Sequence, residues 1–367
     1  MTDEELIALA KSRFEPLKTG KSEKSIGELA GEFRLGRNSV QPAIRKAFQR
    51  GLVEFRVVES ESRFLADIDY RVRPLEDELV TRYGVPRAIV ARTLEKSSDL
   101  VHRDLGYAMA VHFSALVRNG STIGLGSGRG PYYTVTGLIQ RPRIQAKNVT
   151  LMSLTGAVFP KAHSETLNVI LDADYHTGLM GICFMQQLES QRVVAHPIAA
   201  QEYRPDTWLA ESEFAHHVPS LAIVGLGVLR GRHKFALAVQ ADNPGASLKP
   251  IFDPLKRLVK LVERYSDDEY CCVADVCHHL FFVDPPPNVR IADKDRSKIE
   301  SLISTINRQL LTLDEDQLAQ VGGLCVIAGT PEKKWAIRRL LERHQQGRIN
   351  IQAISIDETT ATGLLSD

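Results

Sequence analysis

Two short runs in this chain carry residue types suited to holding an anion or a polyol. The first is IGLGSGRGPYYTV at 123–135, where Gly124, Gly126, Gly128 and Gly130 surround Ser127 and Arg129. A glycine loop that leaves a strand and opens a helix lets backbone N–H groups approach a ligand, and the helix dipole favours negative charge there. Pro131 suits the first turn of such a helix. Arg129 can pair with a phosphate or carboxylate. The same residues also fit a tight strand-to-helix turn that needs glycine for geometry alone. The run is neither a Walker A loop nor a well-placed dinucleotide fingerprint, and no cofactor is expected. The second run is Gly329-Thr330-Pro331-Glu332-Lys333. Thr330 reads as a helix N-cap and Pro331 as the first helical residue. Lys333 then falls in the first turn, where a cation opposes the dipole by up to ~1 kcal/mol. An anionic ligand would relieve that repulsion, although a surface lysine is the commoner case. Asp275 can take sugar hydroxyls or cap a helix, and Asp357 and Glu358 read as caps of the last helix.

A third set lies near the N-terminus. Between residues 18 and 56 nine basic residues stand against four acidic ones, while the whole 367-residue chain has a net charge of +1. A small basic module on a near-neutral body fits a nucleic-acid reader joined to something else. The apolar spacing predicts helices over 2–14 and 26–33, then a third from an N-cap at Ser39 to Gly51. A strand at 52–58 completes the order of a winged helix-turn-helix. The major groove admits one helix, whose first residues reach base edges. The third helix offers Arg37, Asn38, Ser39, Gln41 and Arg45 at or near its start, types that pair with bases or hold phosphates. Lys46 and Arg50 lie further along, towards the backbone, and Arg56 sits on the wing. With Ser39 as N-cap, Pro42 is the third helical residue and its missing N–H is harmless. A helix starting earlier would be kinked there. A three-helix module that contacts protein is the other reading.

These residues need a frame. Residues 59–72 are charged and read as a linker. From Pro74 onward, helical segments alternate with short apolar runs at 87–91, 122–126, 150–154, 221–226, 324–328 and 349–356. That alternation predicts an α/β fold with a mostly parallel sheet covered on both faces. Ligands in such sheets bind beyond the carboxyl ends of the strands. The loops at 126–130, 155–160, 226–228, 275–279 and 329–333 are therefore expected to converge on one pocket. The expected division is 1–60 winged helix-turn-helix, 61–73 linker and 74–367 effector domain. Cys271, Cys272, Cys277, His278 and His279 lack metal-ligand spacing and read as buried thiols and packing groups. His176, His196, His216 and His217 form no known triad, and Trp208 and Trp335 read as packing residues. An odd cysteine count, an acidic N-terminus and the lack of a ~20-residue apolar run point to a cytoplasmic protein with no membrane span.

Taken together, the motifs resemble the SorC family of sugar-responsive bacterial regulators, which is grouped with DeoR-type proteins. The resemblance rests on SIGELAGEFRLGRNSVQPAIRKAFQRGLVEFRV, IGLGSGRGPYYTV, LAIVGLGVL, VADVCHHLFF, and LCVIAGTPEKKWAIRRLL followed by INIQAISIDETTATGLL. The chain departs from the family pattern in having Gly36 and Pro42 for serines, Gly130 for threonine, Ala274 and Thr330 for glycines, and Ile356 for threonine. The resemblance implies a homodimer or homotetramer that binds double-stranded operator DNA. It also implies a large domain, similar to sugar-phosphate isomerases, that binds a sugar or phosphosugar. The implied effector residues are Gly126, Ser127, Gly128, Arg129, Gly130, Asp275, Gly329, Thr330 and Lys333. The alternative is an isomerase-like enzyme whose N-terminal module contacts a partner, although no general base sits in a recognisable motif.

Overall fold

The computed structural model describes residues 2–14, 24–49, 71–92, 98–139, 146, 148–155, 192–193, 218–231, 233–240, 242, 249–310 and 312–366. The chain divides into two compact units, Met1–Arg63 and Phe64–Asp367.

The first unit holds helices α1 (Asp3–Phe14), α2 (Ile26–Glu32) and α3 (Arg37–Gln49). Leu6 and Leu9, Leu29 and Ala30, and Val40, Ala43 and Ile44 close a small core among them. Ser25 and Glu28 cap α2 reciprocally, so two otherwise orphaned N–H groups are satisfied. The break after α2 is a Schellman turn at Arg34, with φ 53°. Leu35 N–H donates to the Ala30 carbonyl at 2.9 Å, and Arg34 N–H to that of Gly31 at 3.4 Å. This turn delivers the chain into α3 at Arg37, so Ser39 is not the N-cap expected from the sequence. Its N–H instead closes the first turn on the Gly36 carbonyl at 2.8 Å. Pro42 consequently lies inside the helix and removes a donor from its ladder. The expected strand at 52–58, with Arg56, lies outside the described residues, as does Arg50.

The second unit is built on a parallel sheet. Its strands are β1 (Ala88–Ala91), β2 (Thr122–Leu125), β3 (Thr150–Ser153), β4 (Arg192–Val193), β5 (Leu221–Val228), β8 (Leu324–Ile327) and β9 (Ile351–Asp357), in the order β1-β9-β8-β5-β2-β3-β4. Every pairing along that path is parallel. Alternate residues serve opposite faces, as the two-residue period of a strand requires. On β8, Cys325 and Ile327 join one apolar cluster, while Leu324 and Val326 join the other. Helices α5 (Ser98–Leu116) and α6 (Arg129–Ile139) supply Leu105, Met109, Phe113, Val135 and Leu138 to the first face. The second face is covered by α4 (Arg73–Tyr83), α8 (Phe252–Tyr265), α9 (Asp293–Asn307), α11 (Lys334–Gln345) and α12 (Glu358–Ser366). Two short helices, α7 (Lys234–Gln240) and α10 (Glu315–Gln320), complete the set among the described residues.

Strand β5 has two sets of partners. Its first half pairs with β2 and β8, and Leu226 to Val228 pair antiparallel with β6 (Val273–Val276). β6 turns into β7 (His279–Phe282) through Cys277 and His278, with φ 52° and 69°. The stretch expected as a loop at 275–279 is therefore a hairpin, whose two positive-φ residues give the turn its tight hand.

α5 and α6 lie close together at Gly106. A Cβ there would fall 2.6 Å from Tyr133 Cβ and 2.8 Å from the backbone nitrogen of Thr134. Gly106→Ala is expected to destabilise the large unit by about 1–3 kcal/mol through overpacking, read as a lower midpoint in urea unfolding.

Candidate functional site

A cavity of about 360 Å³ opens at the carboxyl ends of β2, β5 and β8. β2 runs into Gly126, whose N–H donates to the Ile223 carbonyl at 2.9 Å. Ser127 and Gly128 follow, the latter at φ 112°, and turn the chain into α6. The first turn of α6 is wedged between strands. A Cβ on Gly130 would fall 2.7 Å from Ile327 Cβ on β8, and one on Gly225 of β5 would fall 3.3 Å from Pro131 Cδ. The positive end of the helix dipole, with Arg129, is thereby set against the cavity.

Asp275 enters from the hairpin. It is buried, and Gly227 makes room for it, since a Cβ there would fall 2.1 Å from Asp275 Oδ1. His233 Nε2 donates to Oδ1 at 2.8 Å, and the backbone N–H of His278 donates to Oδ2 at 3.0 Å. The left-handed turn aims the His278 ring across the cavity, where Nε2 meets Ser127 Oγ. His278 Nδ1 is buried without a hydrogen-bond partner among the described residues.

β8 contributes the cation. After it, Pro331–Lys333 form a 3-10 turn that leads into α11. Lys333 is only 8% exposed. Its Nζ lies 2.8 Å from Nε2 of His102 on α5, so a protonated Lys333 donates to a neutral imidazole. Burial pushes the Lys333 amine down from 10.5 to about 8; Glu332, Asp275 and Asp357 oppose that shift and Arg129 adds to it. Thr330 sits at φ 86° and ψ 137°, a region that favours glycine and costs another residue roughly 1–3 kcal/mol. It is held there by its N–H to Asp357 Oδ2 at 2.7 Å and its hydroxyl to Glu332 Oε1 at 2.5 Å. Asp357 in turn accepts from Thr360 N–H at 3.0 Å, as an N-cap of α12 would. At the rim, Arg230 bonds Asp268 at 2.9 Å.

Residues 71–173 match the family model described as "Putative sugar-binding domain". No curated protein matches the sequence. Among solved structures, the chain is similar to the full-length sorbitol operon regulator SorC of Klebsiella pneumoniae. That likeness covers 99% of this chain and all of the other, with a TM-score of 0.53 at 16% identity. The chain is also similar to a structure described as the "Putative Sugar-Binding Domain of Transcriptional Repressor from Vibrio fischeri", over 80% of this chain and 98% of that one, with a TM-score of 0.54 at 13% identity. A transcriptional regulator from Streptococcus pneumoniae matches over 82% and 98%, with a TM-score of 0.55 at 12% identity. The fold is that of the SorC-type regulators. The fold that the motif resemblance implied is thus borne out, and the sugar-binding-domain model matches part of it.

Within this SorC-type fold, six of the nine expected effector residues line the cavity: Ser127, Gly128, Arg129, Gly130, Asp275 and Lys333. Gly126, Gly329 and Thr330 are not among its lining. Gly329 serves packing instead, letting the chain leave β8 close against α5, since a Cβ there would fall 2.4 Å from Leu105 Cδ1. Thr330 makes no side-chain cap, and Lys333 is buried rather than at the surface. Of the expected loops, 156–160 lie outside the described residues.

His102, Arg230 and His233 line the cavity without having been expected there, and His278 and Glu332 line it from segments expected to converge there, though neither was singled out. The Gly225-x-Gly227 pattern inside a strand was the available signal, since it marks close approach of another group. Nothing local marks His102, 231 residues from Lys333. Cys271, Cys272 and Cys277 are buried. Burial pushes the Cys271 thiol up and that of Cys272 up to about 12, so both stay protonated. Trp335 packs beneath Lys334 and Arg338, at 4.9 and 4.7 Å from its ring centre. Trp208 and the histidines at 176, 196, 216 and 217 lie outside the described residues.

In the other unit, Arg37, Asn38, Ser39 and Lys46 are exposed on α3. Gln41 and Arg45 fall within that helix, with side chains outside the described set. Gly27 of α2 leaves room for Arg37, since a Cβ there would fall 3.2 Å from Nη2.

Lys333 fixes the sign of a pH effect. Its proton is lost as pH rises through about 8, so the cavity loses its buried cation there. Phosphate affinity, measured by calorimetry, is expected to fall about tenfold between pH 7 and pH 9 if binding needs the ammonium. Lys333→Gln should flatten that limb. Between about 8 and 10.5 the unfolded chain binds more protons at Lys333 than the folded one, so this residue's share of stability rises with pH when no ligand is bound.

Proposed function

We propose that the protein is a transcriptional regulator that binds operator DNA through residues 1–60 and senses a sugar or sugar phosphate through residues 74–367. Residues 61–73 link the two. The observation that carries the effector half is the buried Lys333 ammonium, beside Arg129 and the N-terminus of α6. A buried cation costs free energy unless a partner meets it. His102 accepts one hydrogen bond from that amine but brings no negative charge, and an anionic group on a polyol would supply the counter-charge, while Asp275, His233 and His278 offer acceptors and donors to hydroxyls. The similarity to solved transcriptional regulators supports regulation rather than catalysis.

Arg37, Asn38 and Ser39 are exposed at the start of α3, where a recognition helix meets base edges. Gln41, Arg45, Lys46 and Arg56 complete the proposed DNA surface. A homodimer or homotetramer presents two such helices to a pseudo-palindromic site. The ligand acts by binding one arrangement of the protomers better than another, which changes the spacing of the reading helices. The proposed setting is the cytoplasm, and no helix among the described residues is long and apolar enough to cross a membrane.

A mobility-shift titration on the chain's own upstream promoter tests the DNA half. Asn38→Ala is expected to relax sequence preference at a cost of about 1–3 kcal/mol, and Lys46→Ala to weaken binding to all sequences and lower the salt slope by about one. No retention of DNA at low salt would defeat this half of the proposal. Arg129→Ala and Lys333→Ala are expected to abolish the melting-temperature rise given by a sugar-phosphate panel while leaving DNA affinity within twofold or so. An unchanged ligand response in both variants would remove the effector site.

A further inference from the structure

We infer that Glu332, oriented by Thr330, restricts the ligand of this cavity to a single phosphate. The inference rests on the proposal that the cavity binds a phosphosugar and narrows its ligand class.

Charge within the cavity is balanced. Arg129 and Lys333 line it as cations, and Glu332 and Asp275 as carboxylates. Arg230 is matched at the rim by Asp268. The positive end of α6 is the remaining attraction for an anion. One phosphate placed there meets Arg129, Lys333 and the dipole together. A second phosphate on the same small ligand must approach Glu332, Asp275 or the rim, where Arg230 is already paired with Asp268. Like charges brought together there repel each other.

Glu332 is held rather than free to swing away. Thr330 Oγ1 lies 2.5 Å from Glu332 Oε1 and shares its single proton between that carboxylate and the Gly329 carbonyl. To do so, Thr330 occupies a backbone conformation that a glycine would adopt without strain, with φ 86°. Strained residues persist where their surroundings over-determine them. Here the surroundings are Asp357, which accepts from the Thr330 N–H, and Thr360, which orients Asp357. This contact holds the carboxylate on the wall that it and Lys333 both line. Asp275 is differently engaged, through His233, and so leaves Glu332 as the carboxylate that a second phosphate meets unscreened by a histidine.

Calorimetry on the full chain tests this with two matched pairs, inorganic phosphate against pyrophosphate and fructose 6-phosphate against fructose 1,6-bisphosphate. The wild type is expected to favour the singly phosphorylated member of a pair by about tenfold or more. Glu332→Gln should bring that ratio towards one by tightening the doubly charged member. Thr330→Gly, which relieves the strain and frees Glu332, should move the ratio in the same direction. Equal wild-type affinity within a pair, or a ratio unmoved by Glu332→Gln while binding persists, overturns this inference and leaves the phosphosugar site standing. No binding of any of the four probes to the wild type or to either variant overturns the phosphosugar site itself, and the inference with it.

Discussion

A protonated amine removed from water must be met by neighbours or surrender its proton. Lys333 meets that demand where the parallel strands end. Its amine rests on the acceptor nitrogen of His102 and shares the cavity with Glu332 and Arg129. Each neighbour comes from a different element: α5, the turn after β8, and the start of α6. The site is therefore not a motif with a scaffold beneath it. The packing of three elements around one amine is what makes it a site.

That packing depends on how near the elements come. Gly130 and Gly225 let the first turn of α6 settle between β5 and β8. Gly227 lets a carboxylate lie against β5, where that strand has exchanged parallel partners for the β6–β7 hairpin. The positive-φ turn at Cys277 and His278 then carries a histidine across to Ser127. A methyl group at Gly227 would displace the Asp275 carboxylate, and one at Gly130 would push the start of α6 off Ile327, so cavity shape and sheet topology are coupled directly.

Much of this was legible beforehand in local terms. The alternation of apolar runs with helical segments marked the parallel sheet, because strands buried on both faces are apolar throughout. The glycine loop and Lys333 were recognisable because helix starts, glycine and proline have strong local preferences. The misplacements share a cause. Ser39 looked like a cap because capping propensity is a property of the residue, whereas the helix begins where the Schellman turn at Arg34 releases the chain. Thr330 looked like a cap as well, but Asp357 and Glu332 hold it in a conformation that its own preferences disfavour. The segment 275–279 looked like a loop because its turn is made by cysteine and histidine instead of asparagine and glycine.

By itself, then, the sequence determined the periodicities, the breaks, the basic character of the first sixty residues and the identity of the glycine-rich strand-to-helix turn. These follow from backbone sterics and from apolar patterning over a few residues. Only the tertiary structure decided that Lys333 is buried and that His102, His233 and His278 share its cavity. Those outcomes depend on groups brought together across as many as 231 positions of chain, and the free energy of a buried charge is set by such neighbours rather than by the residues next to it in sequence.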